Sequence, residues 1–445
     1  MSQTVDHTQD QEKTGLGNYF VANYPPFSAW KSDYVANALE VLNAPPRPDT
    51  PLGLYLHIPF CRKRCKFCYF RVYTDKNAQE IEIYLNALVK EIELYSKMPI
   101  VGGRPLHYFY FGGGTPSYLS SKQLKSLVEQ LQQFLPWDKA AEVTFECEPG
   151  TLQEHKLETI KEIGVTRLSF GIENFNDEIL QTNGRAHLSP EIQRAYNWAR
   201  NFDFDQINID LIAGMLGETW DNWKDCVQKT IDMNPDSVTI YQMELPFNTV
   251  FSKELNIVGE EQPAQPPIAD WPTKRAWVDY AFEEMAKAGY EQSSAYTMVR
   301  SKAQTKFVYR DALWRGADMF GTGVASFGHV GGVHVQNLDK WEQYVGALEK
   351  GELPLGRALP VRQDQLLIRE MILQLKTGQI HADYFRSKFG KDIREEFKDG
   401  FEELTNSGDL NVNNGTVTLT RQGLLQIDRL LPTFFEPQFR NVRYT

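Results

Sequence analysis

Three thiols stand within eight residues, in Cys61-Arg-Lys-Arg-Cys65-Lys-Phe-Cys68. They cannot all pair as disulfides, and the flanking lysines and arginines favour thiolates. A tetrahedral zinc site would want a fourth ligand close by. The next residues are Tyr69 and Phe70, and the other cysteines, Cys147 and Cys226, lie far along the chain. Thiolates are also the usual ligands of iron–sulfur clusters, and three of them on a [4Fe–4S] cluster leave one iron open to a small molecule.

The elements that position these thiols read as alternating strands and helices. An apolar run over 54–58 stops at Pro59 and opens into the cysteine loop. Further strands are expected at 107–111, 142–146, 167–171, 207–211 and 237–242. Helices are expected at 77–97, 121–134, 151–163, 189–201 and 219–233, the first with Leu85, Leu88, Ile92 and Tyr95 at helical spacing. This predicts an α/β fold, an open partial (β/α)6 barrel whose ligands sit at the carboxyl ends of the strands. The strand ends carry suitable groups. Strand two ends in Gly112-Gly113-Gly114-Thr115, where missing side chains let a ligand approach the backbone. Strand three ends at Glu146, a possible ribose acceptor; strand four reaches Glu173 and is followed by Arg185; strand five carries Asp210. Any one of these alone is an ordinary strand-end group. Their recurrence after successive strands is the signal.

The spacing Cys61-x3-Cys65-x2-Cys68, preceded by Tyr55-Leu-His57-Ile-Pro-Phe60, resembles radical S-adenosylmethionine (SAM) enzymes, in the branch named for oxygen-independent coproporphyrinogen III oxidase. The resemblance implies a [4Fe–4S] cluster on the three cysteines. It also implies SAM contacts from Tyr55, Gly112, Gly113, Gly114, Thr115, Glu146, Arg185 and Asp210, with Tyr55, Glu146 and Glu173 nearest the chemistry. Arg185 suits the methionine carboxylate through paired hydrogen bonds. A second SAM, as in the founding oxidase, would meet Phe67, Glu173, Met243 and Phe327. Two departures stand out. Glu173 replaces the family's glutamine, adding charge and losing a donor, and Phe70 replaces a further cysteine of the oxidase. The implied chemistry is reductive cleavage of SAM to methionine and a 5′-deoxyadenosyl radical that takes a hydrogen atom from carbon. Three outcomes are open: decarboxylation of porphyrinogen propionates, methylation or cyclopropanation of a natural-product or lipid precursor, and haem carriage. Haem carriage is disfavoured because Gln336 stands where the chaperones carry a ligating histidine.

The 445 residues allow more than one domain. Residues 1–50 read as an extension, disordered at first and then anchored by Tyr19, Phe20, Tyr24, Phe27 and Trp30, either a strap or a lid. Residues 51–250 read as the barrel, and 251–355 as its continuation and substrate side. Residues 356–445 read as a winged-helix-like α+β domain, with a hairpin signal at Asn414-Gly415. Arg300, Arg310 and Arg315 are surface charge or, less simply, contacts to an acidic substrate. A net charge of −11 speaks against general nucleic-acid binding, no apolar run approaches membrane-spanning length, and clustered free thiols suit a reducing cytoplasm. The expected partners are a small-molecule substrate and a one-electron donor such as flavodoxin or ferredoxin.

Overall fold

The computed structural model describes residues 20–246, 249–254, 268–440 and 442. The polar start of the chain expected to be disordered, and residues 255–267 of the expected proline-rich loop, lie outside the described residues. Six strands, β1 (Leu52–Ile58), β2 (Leu106–Gly113), β3 (Glu142–Cys147), β4 (Arg167–Glu173), β5 (Gln206–Ala213) and β6 (Ser237–Gln242), form consecutive parallel pairs. Alternation decides what each face does. Leu54, Leu56, Phe109, Phe111, Phe145, Leu168, Phe170, Ile207 and Ile209 share one core with the covering helices and are almost wholly buried, each such side chain contributing about 1.5–3 kcal/mol. The intervening residues, among them Tyr55, His57, Tyr110, Glu146, Ser169, Asp210 and Thr239, fall on the inner face.

The helices are fixed at their starts. Asn77 and Glu80 form a capping box on Ala78–Ser96, Ser120 and Gln123 another on Ser121–Leu131, and Thr219 caps Trp220–Met233. All six predicted strands are observed, with ends displaced by a few residues at most.

The sheet is larger than six strands. Beyond the barrel come β7 (Glu291–Gln292), β8 (Thr297–Val299), β9 (Asp318–Thr322), β10 (Phe327–Val330), β11 (Val333–Asn337) and β12 (Leu355–Pro360), giving the order β12-β11-β10-β9-β1-β2-β3-β4-β5-β6-β8-β7. Strand β9 runs parallel to β1, so residues from the predicted continuation flank both edges of the barrel. A separate three-stranded sheet, β13 (Gln379–His381), β14 (Leu410–Asn413) and β15 (Thr416–Leu419), carries the expected hairpin, with Asn414 and Gly415 both at positive φ. It packs with the helix Gln363–Leu375 into a second core, which also takes Val21 and Tyr24 from the N-terminal segment.

That segment is held as a strap. Its Val21 amide donates to Asp428, buried Lys376 donates to the Val21 carbonyl, and the Phe20 amide donates to Glu244 just past β6. Further on, His334 on β11 meets the Tyr24 carbonyl and stacks on Trp30, whose ring also abuts Phe327.

Candidate active site

The three cysteines follow β1 on one loop, each half-buried and none disulfide-bonded. Thr115 donates to Cys61 Sγ at 3.4 Å, and Arg185 Nη1 lies 3.3 Å from Cys65 Sγ. Burial pushes Cys61 up to about 12 and Cys68 up to about 11, against smaller lowering effects of Arg185 on both and of Arg64 on Cys68. Among the described residues, no three His, Cys, Asp or Glu side chains are set to hold a single metal ion.

The glycine run serves the protein's own packing. A Cβ on Gly112 would lie 2.8 Å from the rings of Tyr55 and Tyr110; one on Gly113, at φ +118°, would lie 2.5 Å from His57 Nδ1; one on Gly114 would lie 3.0 Å from Cys61 Sγ. These glycines let β2 close against β1 and the cysteine loop.

Glu146 accepts from the Tyr110 hydroxyl at 2.8 Å and from the Gly113 amide at 3.0 Å. Burial, helped by nearby Asp210, pushes its carboxyl up to about 7. Asp210 accepts from Ser169 and Asn208 and is likewise raised by burial. Glu173 sits at a bulge between β4 and β5 with φ +68°, a left-handed conformation that disfavours any residue with a Cβ. Its carboxylate lies 3.7 Å from Arg185 and takes no hydrogen bond among the described residues, and burial pushes it up to about 7. Arg185 donates to the Gly171 carbonyl, yet its buried Nε has no partner among the described residues.

The structure thus brings Cys61, Cys65, Thr115, Glu146, Glu173, Arg185 and Asp210 into one group, with Cys68 on the same loop. Tyr55 joins them from β1, stacked on Tyr110 with ring centroids 5.7 Å apart and 3.3 Å from His57 Nδ1. Of the four positions suggested for a second SAM, Glu173 lies beside Arg185. Phe67 and the buried Met243 share a small apolar cluster with Ile179 and Phe251, while Phe327, 45% exposed, packs against Phe27 and Trp30 of the strap.

Tyr110 was not singled out from the sequence, although the alternation Tyr108, Tyr110, Gly112 along β2 puts it on the inner face beside Glu146. Arg300, Arg310 and Arg315 do not reach this group. Arg300 follows Val299, which pairs with Ser237 at the start of β6, and Arg310 and Arg315 precede β9, so all three sit at the opposite end of the strands.

The residues fit an iron–sulfur cluster and an amino-acid ligand. Cys61, Cys65 and Cys68 put three free, soft sulfurs on one loop, and Arg185 Nε, without a partner among the described residues, is a donor prepared for a carboxylate. Fold and site together define a class of parallel-stranded α/β barrel with a three-cysteine loop after the first strand.

The comparisons agree. The radical SAM superfamily model matches residues 55–229. The chain is 28% identical over 378 residues to heme chaperone HemW of Bacillus subtilis, covering 83% of this chain and 96% of that protein. It is 27% identical over 426 residues to an oxygen-independent coproporphyrinogen III oxidase of Synechocystis, covering 92% and 88%. The solved coproporphyrinogen III oxidase (HemN) of Escherichia coli shares the fold with a TM-score of 0.80 at 22% identity, over 93% of this chain and 96% of that one. The chain belongs to the radical SAM superfamily, in the family that holds these oxidases and heme chaperones. Among the described residues no helix is long and apolar enough to cross a membrane.

Proposed function

We propose that this protein reductively cleaves SAM and uses the resulting radical to take hydrogen from a carbon of its substrate, with decarboxylation of coproporphyrinogen III propionates as the first reaction to test. The observation that carries the reading is the meeting, at one end of the barrel, of the cysteine loop with the Arg185 guanidinium, whose buried Nε has no partner among the described residues, and the carboxylate of Glu146. Cys61, Cys65 and Cys68 would hold the cluster. When bound, a three-thiolate [4Fe–4S] cluster with an open iron supplies the electron that splits SAM into methionine and a 5′-deoxyadenosyl radical. The chain's own part is placement. Arg185 offers Nε to the methionine carboxylate, while Gly112, Gly113 and Gly114 hold the strand end close to the cysteine loop. Glu146, kept in place by Tyr110 and Gly113, has acceptor capacity left for an amino group or ribose. Asp210, braced by Ser169 and Asn208, serves the same end. The electron comes from a one-electron donor such as flavodoxin or ferredoxin.

A second reading, radical methyl transfer or cyclopropanation, is favoured by Glu173. It adds a third carboxylate beside Glu146 and Asp210, an unhelpful neighbour for a polyanionic porphyrinogen, and Arg300, Arg310 and Arg315, read foremost as surface charge, lie at the far end of the strands. Haem carriage has less support. The Gln336 side chain is buried, and His329 and His334 on the same sheet edge lie beneath the strap.

The test is anaerobic reconstitution with dithionite and SAM. Release of 5′-deoxyadenosine that disappears in Cys65→Ser, together with bound iron, supports SAM cleavage; iron content unchanged by the substitution refutes it. Carbon dioxide from coproporphyrinogen III selects the oxidase reading, and S-adenosylhomocysteine selects methyl transfer. A Soret shift at stoichiometric haem would restore the chaperone reading.

A further inference from the structure

Arg167 opens β4 and, by the alternation Arg167, Ser169, Gly171, faces the inside of the barrel, while Leu168 and Phe170 enter the outer core. It is 2% exposed, and its Nε and Nη1 are both buried with no hydrogen-bond partner among the described residues. What the guanidinium does touch is the face of Phe307, whose ring centroid lies 4.1 Å from its central carbon. The acid closest in the strand pattern is committed elsewhere. Glu142, on the inner face of β3 just before the Thr144 that pairs with Arg167, accepts from the Val308 and Tyr309 amides and from the Thr144 hydroxyl. A buried cation left without hydrogen bonds is costly and persists only where something offsets the cost.

Above Arg167 the barrel is open. Tyr241, on the inner face of β6, is 44% exposed, and Tyr55, Glu146 and Asp210 are only partly buried. The Arg167 charge acts into this space. Burial raises the pKa values of Glu146, Asp210, Tyr110 and Tyr241, and Arg167 works against that rise in all four. An aromatic wall runs down one side, with ring centroids 5.7 Å apart from Tyr55 to Tyr110, 4.5 Å from Tyr110 to Tyr309 and 5.8 Å from Tyr309 to Phe307. The lumen thus has acids near its rim, flat apolar rings along a side and a buried cation toward its base. We propose that Arg167 receives a carboxylate of the substrate, and that this substrate is a flat, apolar acid lying against the tyrosine wall. The inference rests on the proposed function and deepens it. Arg167 pairs with Gln206 at the start of β5, and Asp210 stands further along that strand, so the acid is held by its lower end and a carbon nearer the rim faces the radical. A carboxylate suits this place better than a phosphate, whose extra charge would stand below Glu146 and Asp210.

The probe is para-bromohydrocinnamate, a flat apolar acid, set against its uncharged amide. Each is titrated calorimetrically into the reconstituted full-length protein without SAM. A charged hydrogen bond to a buried guanidinium predicts that the acid binds about tenfold to a hundredfold more tightly than the amide. Arg167→Gln is expected to bring that ratio to within about twofold, while Arg167→Lys, which keeps the charge and loses the planar fork, retains part of it. A crystal soaked with the acid should place its carboxylate on Arg167 and the bromine signal in the lumen above. An arginine that is only structural would alter stability in the variants without moving the acid-to-amide ratio. Equal binding of acid and amide by the unaltered protein overturns the inference, a comparison that needs no variant to fold, and so does absence of any binding of the acid. An acid preference that survives Arg167→Gln puts the anion elsewhere, on Arg185 or at the cysteine loop, and overturns it likewise. Failure of dithionite to yield 5′-deoxyadenosine overturns the proposed function instead, since the titration contains neither SAM nor reductant.

Discussion

Glu91, wholly buried, and Glu146, partly buried, both have carboxyls pushed up to about 7, and they sit on the two sides of the same sheet. Around Glu91 the accounts are closed. It accepts from Asn337 Nδ2 at 2.6 Å, from the Gly323 amide at 2.8 Å and from the Tyr344 hydroxyl at 2.6 Å, tying the helix Ala78–Ser96 to the turn after β9 and the end of β11. Around Glu146 they are open. Each oxygen takes one donor, Asp210 and Glu173 stand near, and Arg185 keeps an unpartnered nitrogen. A similarly raised pKa therefore accompanies a closed structural knot in one place and an open group of polar side chains in the other. What separates them is spare hydrogen-bonding capacity, since a buried polar group without a partner is costly and persists only where something repays it.

The sharpest way to break this contrast is to alter each carboxylate and ask what is lost. Glu146→Gln is expected to lower SAM affinity and 5′-deoxyadenosine release about tenfold to a hundredfold, the range for a charged hydrogen bond. Its thermal unfolding should move little. Glu91→Ala should do the reverse. Three buried donors lose their acceptor, which costs at least about 3 kcal/mol, while the fraction that stays folded binds SAM within about twofold of the unaltered protein. Equilibrium dialysis with SAM beside urea unfolding reads both. Equal stability losses in the two variants would erase the distinction.

The pH dependence sharpens it further. An acid whose folded pKa lies above its unfolded value holds its proton more tightly when folded, so its stabilising contribution is full below about pH 4 and lost as pH rises through about 7. For Glu91 the loss between pH 5 and pH 8 is expected to be up to about 3 kcal/mol. Glu91→Gln should flatten urea-derived stability over that window; an unchanged slope would mean that Glu91 is already ionised at pH 5.

Much of this contrast was legible in the sequence on one side only. The cysteine triplet, the glycines after β2 and the acids at the ends of β3 and β5 are short-range signals, because a parallel strand delivers its last residues to one rim. The strands themselves were legible from runs such as Ile207–Leu211 that are apolar on the outer face. Glu91 was not, since its partners Gly323, Asn337 and Tyr344 lie more than 230 residues away, and nothing local distinguishes it from a solvated helix acid. The burial of Cys61 and Cys68 was hidden for a related reason: it is a property of the fold, and in both it outweighs the nearby cations. The wider sheet was likewise hidden, because β9 reaches β1 only after the chain has completed the barrel.

Glu173 tests the contrast at its weakest point, since its oxygens take no hydrogen bond among the described residues and its backbone is left-handed. Glycine there removes the Cβ penalty, so Glu173→Gly is expected to stabilise the fold by about 1 kcal/mol. Glu173→Gln keeps the backbone conformation and removes only the charge. Arg185 would then no longer be shared with a carboxylate 3.7 Å away, and SAM should bind at least as tightly as before. If SAM affinity instead drops tenfold or more in the glutamine variant, the Glu173 charge itself grips the ligand's amino or sulfonium group, and the strained acid, more than Glu146, is the side chain around which the site is built.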